Sequence, residues 1–159
     1  MATVFLSMGS NVGDRRGNLT EAVRRLNSDT DIQIVKESGF YVTKPIGGPP
    51  QEDYLNGVLE VKTSIFPSPF LEKLKTIEEN MGRVRRERNY PRIIDIDILL
   101  FDEVVLETEK LTIPHRRMHE RYFVLKGLAE IAPNITHPTI GKTATELLLN
   151  VGAGLASAR

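Results

Sequence analysis

The chain has 159 residues, 40% of them hydrophobic and 26% charged, with 21 basic and 21 acidic side chains and a net charge of zero. Such a balance argues against broad electrostatic binding to nucleic acid or to a membrane surface. With no cysteine, disulfides, thiolate chemistry and Cys-ligated metals are excluded.

Thr3 to Met8 alternates and is rich in strand formers, which predicts a first strand. Gly9-Ser10-Asn11-Val12-Gly13-Asp14 reads as a turn. Leu19, Ala22, Val23 and Leu26 recur at helical spacing, so a first helix follows, with Asn18 and Glu21 as its expected capping box. Ile32, Ile34 and Phe40-Tyr41-Val42 predict a long or broken second strand. Residues 44–53, with three prolines and two glycines, form a loop. Tyr54 to Val61 predicts a third strand. Ser68 as N-cap with Pro69 at N1 opens a second helix, whose apolar face is Phe70, Leu74, Ile77 and Met81 and which ends at Gly82. Ile93 to Phe101 predicts a fourth strand, turning through Phe101-Asp102-Glu103 into Val104–Leu106. Further helices are expected over Phe123 to Ala132 and Thr145 to Asn150. This β-α-β-β-α-β order is the ferredoxin-like pattern, an antiparallel sheet with two helices on one face. It predicts an α+β fold with a C-terminal hairpin and helices, in one domain over residues 1–159. The N-terminus lacks the features of a signal peptide, and no apolar run approaches the ~20 residues of a membrane span. A cytoplasmic monomer is expected.

The most informative segment is Ile94-Asp95-Ile96-Asp97-Ile98-Leu99-Leu100-Phe101. Aspartate is depleted in strands, yet two occur in this apolar run. On a strand, residues i and i+2 share a face with Cα atoms roughly 6.5–7 Å apart. Two such carboxylates resist joint ionisation unless a cation compensates. Upstream, residues 83–92 hold five arginines and one glutamate, a local charge of +4. A wet strand face and a solvated charged turn are the plain alternatives. The neighbourhood of acids and arginines favours divalent cations holding a polyphosphate, because arginine offers planar bidentate donors to phosphate.

Other motifs carry less. Gly141-Lys142-Thr143 matches the end of a phosphate-binding loop, but the required first glycine is Thr136 and Pro138 lies inside, so it is a decoy. His115 and His119 have i, i+4 spacing without the surrounding pattern of a zinc site. His115 beside Arg116, Arg117 and Arg121 suits polyphosphate contact. Gly9-Ser10-Asn11, Tyr54, Asn56 and Phe123, each taken alone, read as a turn, a core aromatic, a turn amide and a helix apolar residue.

Together these residues resemble the 6-hydroxymethyl-7,8-dihydropterin pyrophosphokinase family. The resemblance runs from about Thr3 to Leu149. It rests on Gly9-Ser10-Asn11, Tyr41-Val42-Thr43-Lys44-Pro45, Tyr54-Leu55-Asn56, Gly82-Arg83-Val84-Arg85, Pro91-Arg92-Ile93-Ile94-Asp95-Ile96-Asp97-Ile98-Leu99, Leu111-Thr112-Ile113-Pro114-His115 and Arg121-Tyr122-Phe123-Val124-Leu125. It implies pyrophosphoryl transfer from ATP to the pterin hydroxymethyl, with release of AMP, in folate biosynthesis. It implies that Asp95 and Asp97 hold two Mg²⁺ ions and that Arg83 and Arg92 stabilise developing charge. The pterin is expected between Tyr54 and Phe123, with Asn56 and the stretch Thr43, Lys44, Pro45 and Ile46 meeting its polar edge. Glu78, Arg83, Arg85, Arg92, Ile98, Lys110, Leu111, Thr112, His115 and Arg121 match family positions that line the ATP site. Three places depart from the commoner pattern: Asn89-Tyr90-Pro91-Arg92 is one residue shorter, Arg116 follows the histidine, and Lys75 replaces a frequent glutamine.

Two other classes fit the residues less well. A non-catalytic RNA-binding module on the same scaffold needs exposed sheet aromatics in a K/R-G-F/Y-G/A-F pattern, which is missing. A metal-dependent nuclease rests on the acid pair alone.

Overall fold

A computed structural model describes residues 1–45, 47–83 and 89–152. Its centre is β1 (Ala2–Ser10), flanked by β4 (Tyr54–Thr63) and β5 (Asp95–Phe101), both antiparallel to it. Two short strands, β2 (Ile32–Glu37) and β3 (Tyr41–Thr43), share the far edge of β4. The second strand is therefore broken, and the sheet order is β2-β4-β1-β5. This is the ferredoxin-like arrangement that the element order predicts.

Each face of the sheet has its own apolar layer. Val4, Leu6, Met8, Leu55, Leu59, Val61, Ile96 and Ile98 pack against Leu19, Ala22 and Leu26 of α1 (Arg15–Asn27) and Phe70 and Leu74 of α2 (Pro67–Asn80). On the opposite face Phe5, Val58, Leu99 and Leu100 meet Phe123, Val124 and Leu128 of α3 (Tyr122–Ile131). Being covered on both sides explains why β1 is buried from Val4 onward. Phe70 meets Phe101 edge to face, centroids 6.0 Å apart, an arrangement worth about 1 kcal/mol beyond the area buried. The pairing of β1 with β5 slips between Phe5 and Leu6, which face Leu100 and Ile98. Leu99 is the extra residue of a β-bulge.

Three local expectations are corrected. The cap of α1 is Asp14, whose Oδ1 accepts the Gly17 N–H at 3.0 Å. Asn18 lies inside the helix and donates to Ser10 Oγ and Val12 O, while Glu21 pairs with Arg24 and Arg25. The second helix starts at Pro67, with Phe66 at the cap position and no side-chain cap. Pro67 already supplies a fixed φ and a missing N–H at the helix start, so Ser68 is taken into the first turn. Finally, β5 does not form a hairpin with the next segment. Asp102 is tied to β1 through its N–H to Thr3 O and its Oδ1 from Thr3 N, and β6 (Leu106–Glu107) pairs with β7 (Thr112–Ile113). The last helix is α4 (Ala144–Val151). Thr143 caps it, with Glu146 completing a capping box, which gives Gly141-Lys142-Thr143 a structural task.

Candidate active site

The odd-numbered residues Asp95 and Asp97 of β5 point away from the α1/α2 layer, onto the face that α3 covers only in part. The strand pairing places Asp97 opposite Ser7 and Asp95 opposite Gly9. Gly9 in turn stands opposite Asn56, and Asn56 opposite Tyr41. One row thus runs across four strands: Tyr41, Asn56, Gly9, Asp95. Glycine in that row leaves an open floor between an amide and a carboxylate. Two strand spacings, roughly 10 Å, separate them.

Above this floor is a cavity of about 470 Å³ lined by Pro45, Gln51, Tyr54, Asn89, Arg92, Asp95, Asp97, His115, Arg117 and Arg121. Three arginines and a histidine face two aspartates, a lining suited to a polyanion that arrives with cations. Arg92 and Arg83 reach Asp95 Oδ1 at 3.6 and 3.8 Å. His115 Nδ1 accepts the Arg117 N–H at 3.2 Å, so in the neutral ring the proton sits on Nε2.

Asn56 is buried at 3% exposure. Its Nδ2 donates to Thr43 Oγ1 at 2.8 Å and Tyr41 O at 3.2 Å. Because Tyr41 O can only accept, this fixes which way the amide faces. Among the described residues its Oδ1 is then left without a hydrogen-bond partner although buried. A buried acceptor without a partner is costly, and here it belongs to a residue in the row that forms the floor.

Glu78, expected among the residues of the nucleotide side, reaches the site from α2. It is 5% exposed, on the inner stripe of α2 with Phe70 and Leu74. One oxygen accepts from Arg83 at 2.5 Å and the other from the Ile96 backbone N–H at 2.7 Å. Burial pushes Glu78 up to about 7, against the pull of Arg83. Burial also works against the Arg83 charge, but Glu78 and Asp95 outweigh it and hold that pKa above the ordinary arginine value. The carboxylate, not the guanidinium, is the member that gives way.

The structure brings Pro45, Tyr54, Arg92, Asp95, Asp97, His115 and Arg121 to the cavity, with Arg83 at its acidic edge. Thr43 and Asn56 belong to the adjoining floor. Phe123 is 3% exposed and sits in the α3 layer. Ile98 is turned to the opposite, α1/α2 layer. Thr112 lies on β7 beside a second cleft that shares His115. Leu111 packs on the α1/α2 layer and Lys110 is exposed, while Lys44 is exposed beside Pro45. Ile46 and Arg85 lie outside the described residues. Sequence reasoning missed Gln51 and Asn89, which carry no motif of their own.

A ferredoxin-like sheet that presents a carboxylate pair among arginines is suited to an enzyme that takes a phosphate-bearing substrate together with cations. The sequence model of the 7,8-dihydro-6-hydroxymethylpterin-pyrophosphokinase (HPPK) family matches residues 5–133. This chain belongs to that family of enzymes. It is 44% identical over 131 residues to the 2-amino-4-hydroxy-6-hydroxymethyldihydropteridine pyrophosphokinase of Bacillus subtilis, covering 82% of this chain and 78% of the relative. The Aquifex aeolicus protein of the same name is 42% identical over 146 residues, 92% of this chain and 90% of the relative. Among solved structures, Plasmodium falciparum HPPK-DHPS with pterin and p-hydroxybenzoate superposes with a TM-score of 0.74 at 19% identity, over 94% of this chain and 43% of that one. The last likeness concerns the fold, and this chain spans less than half of that longer protein.

Proposed function

We propose that the chain transfers pyrophosphate from ATP to 6-hydroxymethyl-7,8-dihydropterin, yielding AMP and the dihydropterin diphosphate, a step of folate biosynthesis. The observation that carries this reading is the row Asn56–Gly9–Asp95. A flat bicycle laid along that open floor puts its amide-like edge on Asn56 and its hydroxymethyl arm by the acids. The names of the curated relatives agree with it.

Asn56 Oδ1 accepts an N–H of the pterin edge. Tyr54, with Phe123 from the α3 side, flanks the ring, and Thr43, Lys44, Pro45 and Ile46 close its rim. Asp95 and Asp97 would hold two Mg²⁺ ions. Among the described residues no group of three acids, histidines or cysteines is suited to a metal. A donor set of two carboxylates fits an ion that takes its remaining oxygens from phosphates and water. Bound there, Mg²⁺ neutralises phosphate charge and lowers the pKa of the attacking hydroxyl. Arg83, Arg92 and Arg121 meet the phosphate charge, and His115 donates from Nε2. Arg85, Ile98, Lys110, Leu111 and Thr112 belong to the nucleotide side, and Glu78 anchors Arg83 there. The hydroxyl oxygen gives up its proton to solvent and bonds to the β-phosphorus as the bond from that phosphorus to the bridging oxygen breaks, the oxygen leaving on AMP, a reaction that needs positioning and charge neutralisation more than covalent help. A monomeric state and a cytoplasmic location complete the proposal.

The test is the purified chain with ATP, Mg²⁺ and the hydroxymethyl-dihydropterin. Stoichiometric AMP and pterin diphosphate are expected; ADP as the nucleotide product, or no turnover, overturns the reading.

A further inference from the structure

Along β1 the residues that share a face with the acid pair are Phe5, Ser7 and Gly9. Phe5 is buried in the layer beneath α3, and Gly9 belongs to the open floor. Ser7 stands between them, a polar residue only 2% exposed, where the apolar layer ends and the cavity begins. On one side its strand partner is Val58 of the α3 layer; on the other it is Asp97.

A hydroxyl taken out of water needs a hydrogen-bond partner. Val58 has none to give. The Asn56 amide, farther along the same face, has its Nδ2 on Thr43 and Tyr41 and, among the described residues, no hydrogen bond at Oδ1. Side chains directly opposite on antiparallel strands have Cβ atoms about 4.5–5.5 Å apart, while diagonal neighbours, about 7–8 Å away, are met by long side chains rather than by serine. Asp97 is the side-chain acceptor directly opposite Ser7.

The two acids stand in different surroundings. Arg92 and Arg83 approach Asp95 Oδ1 at 3.6 and 3.8 Å. Each guanidinium repels a metal ion that would bind the same oxygen. A serine hydroxyl carries no charge, so it can orient a carboxylate without weakening the attraction for an incoming cation. Partners of this kind, one shell out from the ion, commonly fix the ligand's orientation.

We propose that Ser7 is a positioning residue for the metal: its hydroxyl donates to one oxygen of Asp97 and turns the other into the cavity, which makes Asp97 the stronger of the two acids as a ligand to Mg²⁺. The inference rests on the reading under Proposed function for the identity of the ion. A serine that merely filled space at the rim of the apolar layer would, when replaced, leave the metal's effect on nucleotide binding untouched.

Calorimetry compares the affinity for α,β-methylene ATP in Mg²⁺ and in EDTA, using wild type, Ser7→Ala and Ser38→Ala. Ser38 is the control, a buried hydroxyl that accepts the Val58 N–H at 2.8 Å and donates to Gly39 O at 2.7 Å. In wild type Mg²⁺ is expected to strengthen nucleotide binding at least tenfold. Ser7→Ala is expected to lose about three- to tenfold of that strengthening, the scale of one hydrogen bond within a protein, with its affinity in EDTA unchanged. Ser38→Ala is expected to keep all of it. A second measurement needs no metal: urea unfolding in EDTA of wild type, Ser7→Ala, Asp97→Ala and the double variant forms a cycle. The unfolding constant should respond at least threefold less to Ser7→Ala once Asp97 is alanine. An undiminished Mg²⁺ effect in Ser7→Ala overturns the proposal, as does additivity in the cycle. A wild type whose nucleotide affinity ignores Mg²⁺ overturns the metal reading and this proposal with it, and the cycle tells that failure from the loss of the Ser7–Asp97 bond alone.

Discussion

Glu78 Oε2 accepts the main-chain N–H of Ile96, the residue between the two aspartates, at 2.7 Å. β5 is the edge of the sheet, and an edge strand presents N–H groups that no neighbouring strand satisfies. The α2 carboxylate takes that role here, while its other oxygen holds Arg83 against Asp95. One buried acid thereby fixes both the strand that carries the acid pair and an arginine beside it.

Glu78→Gln keeps the shape and one acceptor. The folded carboxyl, at about 7, stands above its ordinary 4.5. A raised acid pKa means that the folded state holds the proton more tightly. Its contribution is complete below about 4.5 and is lost as pH rises through about 7. Wild type is therefore expected to lose stability relative to Glu78→Gln between pH 5 and 7, by about 1–3 kcal/mol. Urea unfolding of both proteins at pH 5, 6 and 7 measures this; a constant difference contradicts it.

Asp97→Ala should lower AMP formation by about 10²–10³-fold or more, the scale for losing one preorganised charged group. Its thermal transition should stay within a few degrees of wild type, since a like charge beside Asp95 is removed. Retained turnover in the folded variant removes Asp97 from the metal site.

Asn56→Ala takes away the orphan acceptor. Pterin binding should weaken by about 1–3 kcal/mol, with affinity for the ATP analogue unchanged. Equal losses for both ligands would assign Asn56 to the fold instead, through its bonds to Thr43 and Tyr41.

Phe70→Ala empties the seam between α2 and β5. Phe70 is fully buried, and truncating such a side chain costs about 3–5 kcal/mol. Chemical denaturation gives the value directly. A loss below about 1 kcal/mol would show that the neighbouring Leu74 and Phe101 collapse into the space.

Much of this was legible in the residues. The strand-forming runs Thr3–Met8 and Tyr54–Val61 and the helical spacing of Leu19, Ala22 and Leu26 are local backbone preferences, and they fall within β1, β4 and α1. The acid pair was legible because Asp95 and Asp97 break the propensity of their own strand. The caps were less so, since Asp14 and Asn18 are equally plausible caps until the helix start is known. Glu78 did leave a signal that went unused: it continues the i, i+4 stripe of Phe70 and Leu74, where an acid must find buried partners. Gln51 and Asn89 left none. Their roles come from where two loops converge, which depends on tertiary bonds between residues 38 positions apart.

The bulge at Leu99 has a consequence for how this strand tolerates change. Before it, odd residues face the cavity and even ones the α1/α2 helices; after it, Leu100 and Phe101 exchange those sides. The strand thus carries two phases, one set by chemistry and one by packing. Deleting Leu99 would close the bulge and leave a plain alternation, with Asp95, Asp97 and Leu100 on the cavity and α3 side and Ile96, Ile98 and Phe101 on the α1/α2 side. What would go is one of two adjacent leucines that both pack beneath α3. The extra leucine thickens the oily cover on that side without turning either end of the strand over.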